Sequence, residues 1–384
     1  MLFAAPSLDD REQEVLRLIE DLKEKLRWQL HEPRRWVGSL RRLSFARNIQ
    51  GSNSIEGYDA TLDDAAAVAV GEEPVDTSME ARLALEGYRD AMNYVLQLAG
   101  DPDFEYSEQL IKSLHFLMTR HDLKNSPGRW RSGSIFVRND STAEIVHEGA
   151  DRDQVPGLMR DLIVALNAPQ SGGAEPAVVQ AGMAHLNLVM IHPFRDGNGR
   201  MARCLQSLVL ARQGILAPVF MSIEEYLGRN TNQYYAVLAH VGGGSWRPER
   251  DARPWVRFIL TAHLRQAGTL LQRVRESEEL WMRVEKLVQT HGLHERNTTA
   301  LFDAAMGMRV RRSTYRANLM EMGEELSEQA ASRDLRQLVA AGFLDAEGEK
   351  RGRFYVASPN VRRLSKDIRN LRDPRDDSDP FAVK

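Results

Sequence analysis

The spacing of apolar residues predicts that the N-terminal third of the chain is entirely helical. Between Leu8 and Leu30, apolar side chains recur at intervals of three or four residues with charged residues between them, which is the pattern of an amphipathic helix. Three further stretches show the same pattern, at 34–49, 61–71 and 79–100. We therefore expect a helical N-terminal region over residues 1–104.

The helical pattern continues beyond this region and is interrupted once. Pro127 and Gly128 break it, and residues 131–140 alternate between apolar and polar side chains, which predicts a strand or a short hairpin. Helical patterns resume afterwards, at 153–167, 178–192, 199–214, 231–241 and 253–274. The spacing thus predicts a mainly α core, over residues 105–265, that carries one β-hairpin.

A change in composition near Ser277 indicates a second structural unit. Residues 330–358 predict a helix, a turn at Gly342, a short strand, a glycine-rich basic turn and another strand. A helix followed by a two-stranded wing is typical of the winged helix-turn-helix, so we assign residues 275–360 to a winged-helix (α+β) domain. The remaining residues, 361–384, end in a polar segment interrupted by proline, and we expect them to be partly disordered.

Charge and cysteine content narrow the class of protein. The 384-residue chain has 51 Lys and Arg against 54 Asp and Glu, so its formal net charge of −3 does not indicate a protein that is basic throughout. The single cysteine, Cys204, excludes an internal disulfide and fits a reducing cytoplasm. The chain has neither a signal-peptide pattern at its start nor an apolar run of about 18 residues. We therefore expect a cytoplasmic protein without a membrane span.

The stretch IHPFRDGNGRMAR concentrates groups that are suited to binding phosphate. Gly197 and Gly199 flank Asn198 immediately before a predicted helix, where free backbone N–H groups and the positive helix end attract an anion. Arg200 and Arg203 are three residues apart on that helix, so both guanidiniums face the same anion. This arrangement fits a polyphosphate better than a single phosphate.

Two further side chains of this stretch suit a transfer reaction. Asp196 offers a hard oxygen ligand, and Mg²⁺ commonly uses one or two carboxylates together with phosphate oxygens. His192 titrates near neutral pH when unperturbed, which suits a base that accepts a proton from a hydroxyl nucleophile. Each feature alone is more often structural, as a capping histidine, a turn or solvated arginines. Their combination favours phosphoryl or nucleotidyl transfer.

The segment HPFRDGNGRMAR resembles the motif of the Fic (filamentation induced by cAMP) family, with every defining position filled. The resemblance extends over residues 30–265 and implies a Fic-type helical core with a β-hairpin flap. It also implies an adenylyltransferase that uses ATP and Mg²⁺ and transfers AMP to a Ser, Thr or Tyr hydroxyl of a protein, releasing pyrophosphate. The chain itself is a further expected acceptor.

The resemblance assigns a role to each position of the motif. His192 is implied as the catalytic base, Phe194 as the core residue that anchors the loop, and Asp196 as the Mg²⁺ ligand. The nucleotide-binding residues that it implies are Gly197, Asn198 and Gly199 for the α- and β-phosphates, Arg200 for the β-phosphate, Arg203 for the γ-phosphate, and Tyr234 with Tyr235 as walls of the adenine pocket. An aromatic pair at this spacing is also common in protein cores.

The predicted hairpin, GSIFVRND, resembles the flap of this family. The resemblance implies that a target protein docks near Ser134–Val137 by adding a strand to the flap. Without the motif, an ordinary surface hairpin would be an equally good interpretation. The helical N-terminus and the winged helix are both reasonable surfaces for a homodimer.

The hexapeptide SNSIEG, from Ser52 to Gly57, resembles the inhibitory motif of the family. Ser52 and Glu56 share one helix face, and Gly57 suits a helix end. The resemblance implies that Glu56 forms a bidentate pair with Arg203 and occupies the donors meant for the γ-phosphate. A capped helix end with an exposed glutamate is the structural alternative.

Other functions stay open at this point. The winged helix carries Arg333 and Arg336 in its second helix and Lys350, Arg351 and Arg353 in its wing, which would suit a DNA-binding regulator with a nucleotide-sensing Fic domain. Winged helices also serve in protein docking. The catalytic domain, in turn, also fits de-AMPylation or the transfer of another phosphate-linked group.

Overall fold

A computed structural model describes residues 1–31, 34–138, 144–168, 175–212, 214, 218–349, 352–372 and 374–382. The first elements along the chain are α1 (Asp10–His31), α2 (Val37–Ser54), α3 (Leu62–Ala69), α4 (Met79–Leu98), α5 (Glu108–Thr119), β1 (Phe136–Arg138), β2 (Ile145–Glu148) and α6 (Val155–Asn167). They are followed by α7 (Ala177–Ile191), α8 (Asn198–Ala211), α9 (Pro218–Met221), α10 (Glu224–Arg229), α11 (Thr231–Gly242) and α12 (Arg253–Thr290). The last elements are α13 (Asn297–Ala305), α14 (Arg312–Glu321), α15 (Glu328–Ala340), β3 (Leu344–Glu347), β4 (Phe354–Ala357) and α16 (Pro359–Asn370).

The helix pair α7 and α8 lies at the centre of the molecule. Of the 15 residues of α7, 12 are buried, because other helices surround it and its sequence is apolar on nearly all sides. Helices α4 and α5 pack against α8, and helices α6 and α12 pack against α7. The mainly helical fold predicted from the periodicity is confirmed.

The predicted β-hairpin is also confirmed. Strands β1 and β2 pair antiparallel, with Phe136 opposite Glu148 and Val137 opposite His147. The hairpin base is tied to the end of α7, since Ala150 N–H donates to Ile191 O at 3.2 Å. The residues of GSIFVRND after Arg138 lie outside the described part of the chain.

Helix α2 is built into the core and does not lie loosely on its surface. It contacts α3, α4 and α10, and its residues Leu40 and Ile49 are fully buried. At its C-terminal end, Gly51 and Gly228 bring α2 and α10 together so closely that a Cβ on Gly228 would come within 2.7 Å of Gly51 Cα. Residues 52–57, which form the last residues of α2 and the turn after it, therefore have a fixed position.

Helix α12 corrects the predicted domain boundary. It runs without a break from Arg253 to Thr290, so the boundaries expected at residues 265 and 275 both lie inside one helix. The apolar spacing continues past Ser277 through Leu280, Trp281 and Val284, all buried, which is why the helix does not stop there. The helical core and the C-terminal unit thus share this element.

The C-terminal unit contains three helices followed by a two-stranded antiparallel sheet. Strands β3 and β4 pair with Leu344 opposite Ala357, and Val310 adds an isolated antiparallel bridge to Tyr355. Helix α15 contacts α13, α14 and β3. This order agrees with the winged-helix interpretation, which remains a prediction; Lys350 and Arg351 of the predicted wing lie outside the described residues.

The segment predicted as a partly disordered tail begins with an ordered helix. Residues 359–370 form α16, whose apolar stripe, with Val361 and Ile368, packs against α12 and α13. Beyond it, Arg265 donates to Asp376 at 2.7 Å, and the Arg257 guanidinium lies over the Phe381 ring. Burying this stripe stabilises the helix over residues 361–370, and partial disorder within residues 361–384 stays a prediction. Within the described chain, no helix combines the length and the apolar run needed to cross a bilayer.

Candidate active site

The loop between α7 and α8 is shaped by two residues with positive φ. His192 ends α7 with φ 55°, and Gly197 precedes α8 with φ 74°. Pro193 follows the histidine and cannot continue the helix. A left-handed histidine is uncommon, and here it turns the chain sharply between α7 and the loop.

The imidazole of His192 is held in one tautomer. Its Nδ1 lies 3.0 Å from the carbonyl oxygen of Val189, which can only accept, so Nδ1 carries the proton and donates. Nε2 is therefore the basic nitrogen. Burial, helped by the nearby His147 and opposed by the Val189 hydrogen bond, lowers the pKa of His192 to about 4. The ring is consequently neutral at pH 7 and able to accept a proton.

Asn198 closes the loop with its side chain. Its Oδ1 accepts from Phe194 N–H at 2.9 Å, and its Nδ2 donates to Phe194 O at 2.9 Å. Both amide atoms are therefore used inside the protein, and the residue is only 2% exposed. The Asn198 side chain thus fixes the turn that presents the backbone N–H groups of α8, and phosphate binding at Asn198 stays a prediction.

His115 supports the same loop and was not found from the sequence. Its ring stacks on Phe194 with 3.6 Å between centroids, and its Nε2 donates to Asp196 O at 2.9 Å. The donor assignment follows because Nδ1 accepts from Gly128 N–H at 2.9 Å. Burial lowers the pKa of His115 to about 4, so this neutral clamp persists at physiological pH.

Arg131 joins the flap base to the loop and was also missed. Its Nε donates to His192 O at 2.8 Å, and its Nη1 donates to Gly133 O at 2.6 Å. A third nitrogen donates to the carbonyl of Ala150, where the hairpin returns. The guanidinium thereby fixes the position of the hairpin relative to His192.

Arg200 is buried but poorly paired. It is 1% exposed, its Nη2 lies 3.4 Å from Asp196 Oδ2, and its guanidinium lies 4.9 Å above the Tyr58 ring. Its Nε and Nη1 have no hydrogen-bond partner among the residues that the structure describes. Buried guanidinium nitrogens are normally satisfied, so these two donors mark a place for an anion.

Arg203 binds the predicted inhibitory segment directly. Its Nε donates to Ser52 Oγ at 2.8 Å, and its Nη2 donates both to Ser52 O at 2.8 Å and to Glu56 Oε1 at 2.6 Å. Its Nη1 has no partner in the described part of the chain. The expected bidentate pair is thus wrong: a single carboxylate oxygen contacts Arg203, because Ser52 occupies the other edge of the guanidinium.

Glu56 occupies the space in front of the N-terminus of α8. A Cβ on Gly199 would overlap Glu56 Oε1, so this position accepts only glycine while the carboxylate is there. Burial alone raises the pKa of the Glu56 carboxyl, but Arg203 and Arg200 outweigh it, and the net pKa lies below its usual value. Gly57, with φ 79°, ends the segment and turns the chain toward Tyr58.

Asp196 is the one motif carboxylate that remains open to solvent. Its side chain is 42% exposed, and its ion pair with Arg200 is long at 3.4 Å. Within the described residues, no group of three or more His, Cys, Asp or Glu side chains could hold a metal ion. A single carboxylate fits Mg²⁺ only where a nucleotide supplies further oxygen ligands.

The two tyrosines of α11 lie in different surroundings. Tyr234 is 1% exposed, and its hydroxyl lies 2.9 Å from His185 Nε2, inside the core. It therefore supports α7 from behind and does not line an open pocket, which corrects its predicted role. Tyr235 is 45% exposed and donates to Ile55 O at 3.0 Å, so it contacts the predicted inhibitory segment.

The flap has the geometry to accept a further strand. Its sheet contains two strands, so one edge of β1 carries no partner strand from the described chain. Ser134 and Phe136 are exposed there, and β2 is tied on its own far side, where Glu148 N–H donates to Gly244 O at 2.9 Å. Addition to this flap would therefore occur along β1.

Comparison with known proteins agrees with this site. Residues 105–210, which include the whole loop and most of α8, match the Fic/DOC family. The chain carries a Fic domain. Its Fic domain region resembles the "Protein adenylyltransferase Fic" of Nematostella vectensis, with 28% identity over 271 residues, or 67% of this chain and 55% of the relative. The protein of the same name from Drosophila mojavensis is 30% identical over 242 residues, covering 60% of this chain and 42% of that protein.

The chain spans about half the length of these curated relatives. Among solved structures, a Fic family protein from Desulfovibrio desulfuricans G20 aligns with a TM-score of 0.56 at 23% identity, covering 93% of this chain and 99% of that one. Fic-1 from C. elegans aligns with a TM-score of 0.55 at 24% identity, covering 69% and 73%. The Fic fold is thus shared.

Proposed function

We propose that this protein transfers AMP from ATP to a Ser, Thr or Tyr hydroxyl of a target protein or of itself, and that Glu56 restrains the reaction. The observation that carries the proposal is the pair of buried guanidiniums beside a neutral histidine. Arg200 and Arg203 are each 1% exposed and retain nitrogens without a partner among the described residues. Such donors suit the phosphates of a nucleotide.

The reaction that we propose follows from the position of each group. The acceptor hydroxyl oxygen attacks the α-phosphorus of ATP, and its proton passes to Nε2 of His192. The bond between the α-phosphorus and the bridging oxygen breaks, and pyrophosphate leaves. Arg200 and the N-terminus of α8 would stabilise the charge that develops on the phosphate oxygens.

Asp196 is the residue that would hold Mg²⁺. Its exposed carboxylate and its weak pairing with Arg200 leave an oxygen available when the nucleotide provides the remaining ligands. When bound, the ion would supply charge neutralisation on the phosphates. His115 keeps the Asp196 backbone in place, so the carboxylate has a defined position.

The restraint follows from the contact between Glu56 and Arg203. A γ-phosphate directed at Arg203 must compete with the carboxylate that already lies 2.6 Å from its Nη2. The segment cannot swing away freely, since α2 is buried and Ser52 contributes two hydrogen bonds to the same guanidinium. We therefore expect ATP to bind the wild-type protein weakly or in an unproductive pose.

The test is transfer of label from α-³²P-ATP with Mg²⁺ to protein in a cytosolic lysate. We expect strong labelling with Glu56→Ala, weak labelling with wild type, and none with Glu56→Ala/His192→Ala. Equal labelling of wild type and Glu56→Ala would refute the restraint. Absence of label in every variant, with ATP binding confirmed, would refute AMP transfer itself, and release of label from pre-modified protein would indicate de-AMPylation instead.

A further inference from the structure

The outer face of α15 is polar, basic and exposed to solvent. Gln329, Arg333, Arg336 and Gln337 all lie on it, at the spacing that places residues on one side of a helix. We propose that this face binds duplex DNA in the major groove. The proposal rests on the C-terminal unit alone and is independent of the reaction at His192.

After Glu328, the exposed charged side chains of α15 are both arginines. Glu328 is the acidic residue at the start of α15, and Arg312 and Arg316 of α14 lie 3.2 Å and 3.4 Å from its carboxylate oxygens. One carboxylate thus faces two guanidiniums, before Arg333 and Arg336 are added. Glu321, Glu324 and Glu325 lie at the end of α14 and in the connection to α15, so the excess of arginine is confined to the face of α15 that carries Arg333 and Arg336.

The inner face of α15 is fixed, which makes the outer face a rigid surface. Asp334 is 1% exposed and accepts from Arg296 Nε at 2.6 Å and Nη2 at 3.0 Å. The Tyr315 hydroxyl lies 3.3 Å from the same carboxylate, so α14 and α15 are joined through it. A helix held in this way can enter a groove without reordering.

Helices α14 and α15 are consecutive and in contact, as are the two helices of a helix-turn-helix. In that motif the second helix enters the major groove, and the first crosses the phosphate backbone. Arginine recognises guanine and glutamine recognises adenine through paired hydrogen bonds, so the exposed side chains of α15 can read base edges. Arg312 and Arg316, which are exposed on α14 and share the carboxylate of Glu328, are the phosphate contacts in this proposal.

A protein partner fits this face less well. The large exposed apolar side chains of the described chain include none between Glu328 and Ala340. Protein interfaces are centred on buried aromatic and apolar anchors, and their cores are depleted of charge. DNA is the partner that matches a charged face without such an anchor.

The test measures binding of the full-length chain to a labelled pool of random-sequence duplexes at two salt concentrations. We expect wild-type affinity to fall roughly ten- to a hundredfold between 50 and 200 mM salt, as for about two to four phosphate contacts. Arg333→Ala/Arg336→Ala should lose about tenfold or more at low salt. The matched control, Arg27→Ala/Arg160→Ala, removes two exposed arginines elsewhere and should bind like wild type.

Three results would overturn the proposal: no duplex binding by wild type at 50 mM salt, binding that is insensitive to salt, or an equal loss in the control. A protein partner captured through α15 in the absence of duplex binding would assign the face to protein docking. Circular dichroism melts of each variant verify folding. The variant Arg333→Glu/Arg336→Glu should bind duplex DNA more weakly than Arg333→Ala/Arg336→Ala, because reversed charges repel the phosphates.

Discussion

Replacing Glu56 by alanine should raise the affinity for ATP and leave the affinity for ADP almost unchanged. The wild-type carboxylate accepts one hydrogen bond from Arg203, which is 1% exposed, and is itself 24% exposed. Removing one partner of a fully buried ion pair costs about 3–5 kcal/mol. Because water reaches Glu56 and Ser52 keeps its two bonds to Arg203, we expect a loss of about 2 kcal/mol in the free energy of unfolding.

The free energy of ATP binding should become more favourable by about the same 2 kcal/mol. In the wild-type protein the γ-phosphate must displace Glu56, so the variant should bind ATP about 30-fold more tightly. ADP lacks the γ-phosphate, and its affinity should change little. Calorimetric titration of ATP and ADP into wild type, Glu56→Ala and the control Glu24→Ala, an exposed glutamate 3.6 Å from Arg27, measures both ratios. An equal change for ATP and ADP, or no change for either, would refute the competition between Glu56 and the γ-phosphate.

Three further predictions concern stability. Burial lowers the pKa values of His115, His185, His192 and His263, so the unfolded chain binds more protons than the folded chain as the pH falls below 6.5. Urea unfolding should therefore show lower stability at pH 5.5 than at pH 7, by up to about 1.4 kcal/mol per pH unit and group. A stability that stayed level or rose would contradict this. Asn198→Ala leaves Phe194 N and O without their partners and should cost about 2–4 kcal/mol, measured by the same unfolding, whereas Arg195→Ala, at an exposed position, should cost little. Arg309→Ala removes ion pairs of 2.7, 3.3 and 3.0 Å with Asp63, Asp64 and Asp76, so amide hydrogen exchange over residues 61–77 should become faster; unchanged exchange would show that these pairs do not hold the C-terminal unit against α3.

Local patterns sufficed for the elements of the site. The apolar spacing of α7 and α8 predicted both helices, and the glycine at 197 marked the turn before α8, which the structure shows with φ 74°. These features depend on residues within a few positions of one another. The hairpin was predicted in the same way, because Pro127 and Gly128 break the helical pattern just before it.

Contacts between residues far apart in the sequence could not be predicted from such patterns. His115 and Arg131 reach the loop from 81 and 61 residues away, and nothing near them in the chain indicates this. The orientation of Asn198, inward to Phe194, and the burial of Tyr234 are equally decided by packing. The motif tells which residue types are present but does not tell which way each side chain turns.

The length of α12 was predictable and was not predicted. Its buried residues continue at helical spacing through Val284 and Val288, with neither proline nor glycine between Gly268 and Gly292. The change in composition near Ser277 reflects a more charged outer face, whereas the apolar stripe is unchanged. The change in composition indicated a domain boundary near Ser277, whereas the spacing of apolar residues indicated one continuous helix.

A helix shared by two units also limits how the protein can be divided. At 38 residues, α12 is about 57 Å long, and its second half lies against α13 and α16. A fragment that ended at residue 265 would lose more than half of this helix, and the excised C-terminal unit would expose the apolar surface of Leu270 and Val274 if it kept the remainder. We therefore expect proteases not to cleave the chain within α12. The functions of the helical core and of the C-terminal unit are best measured on the intact chain.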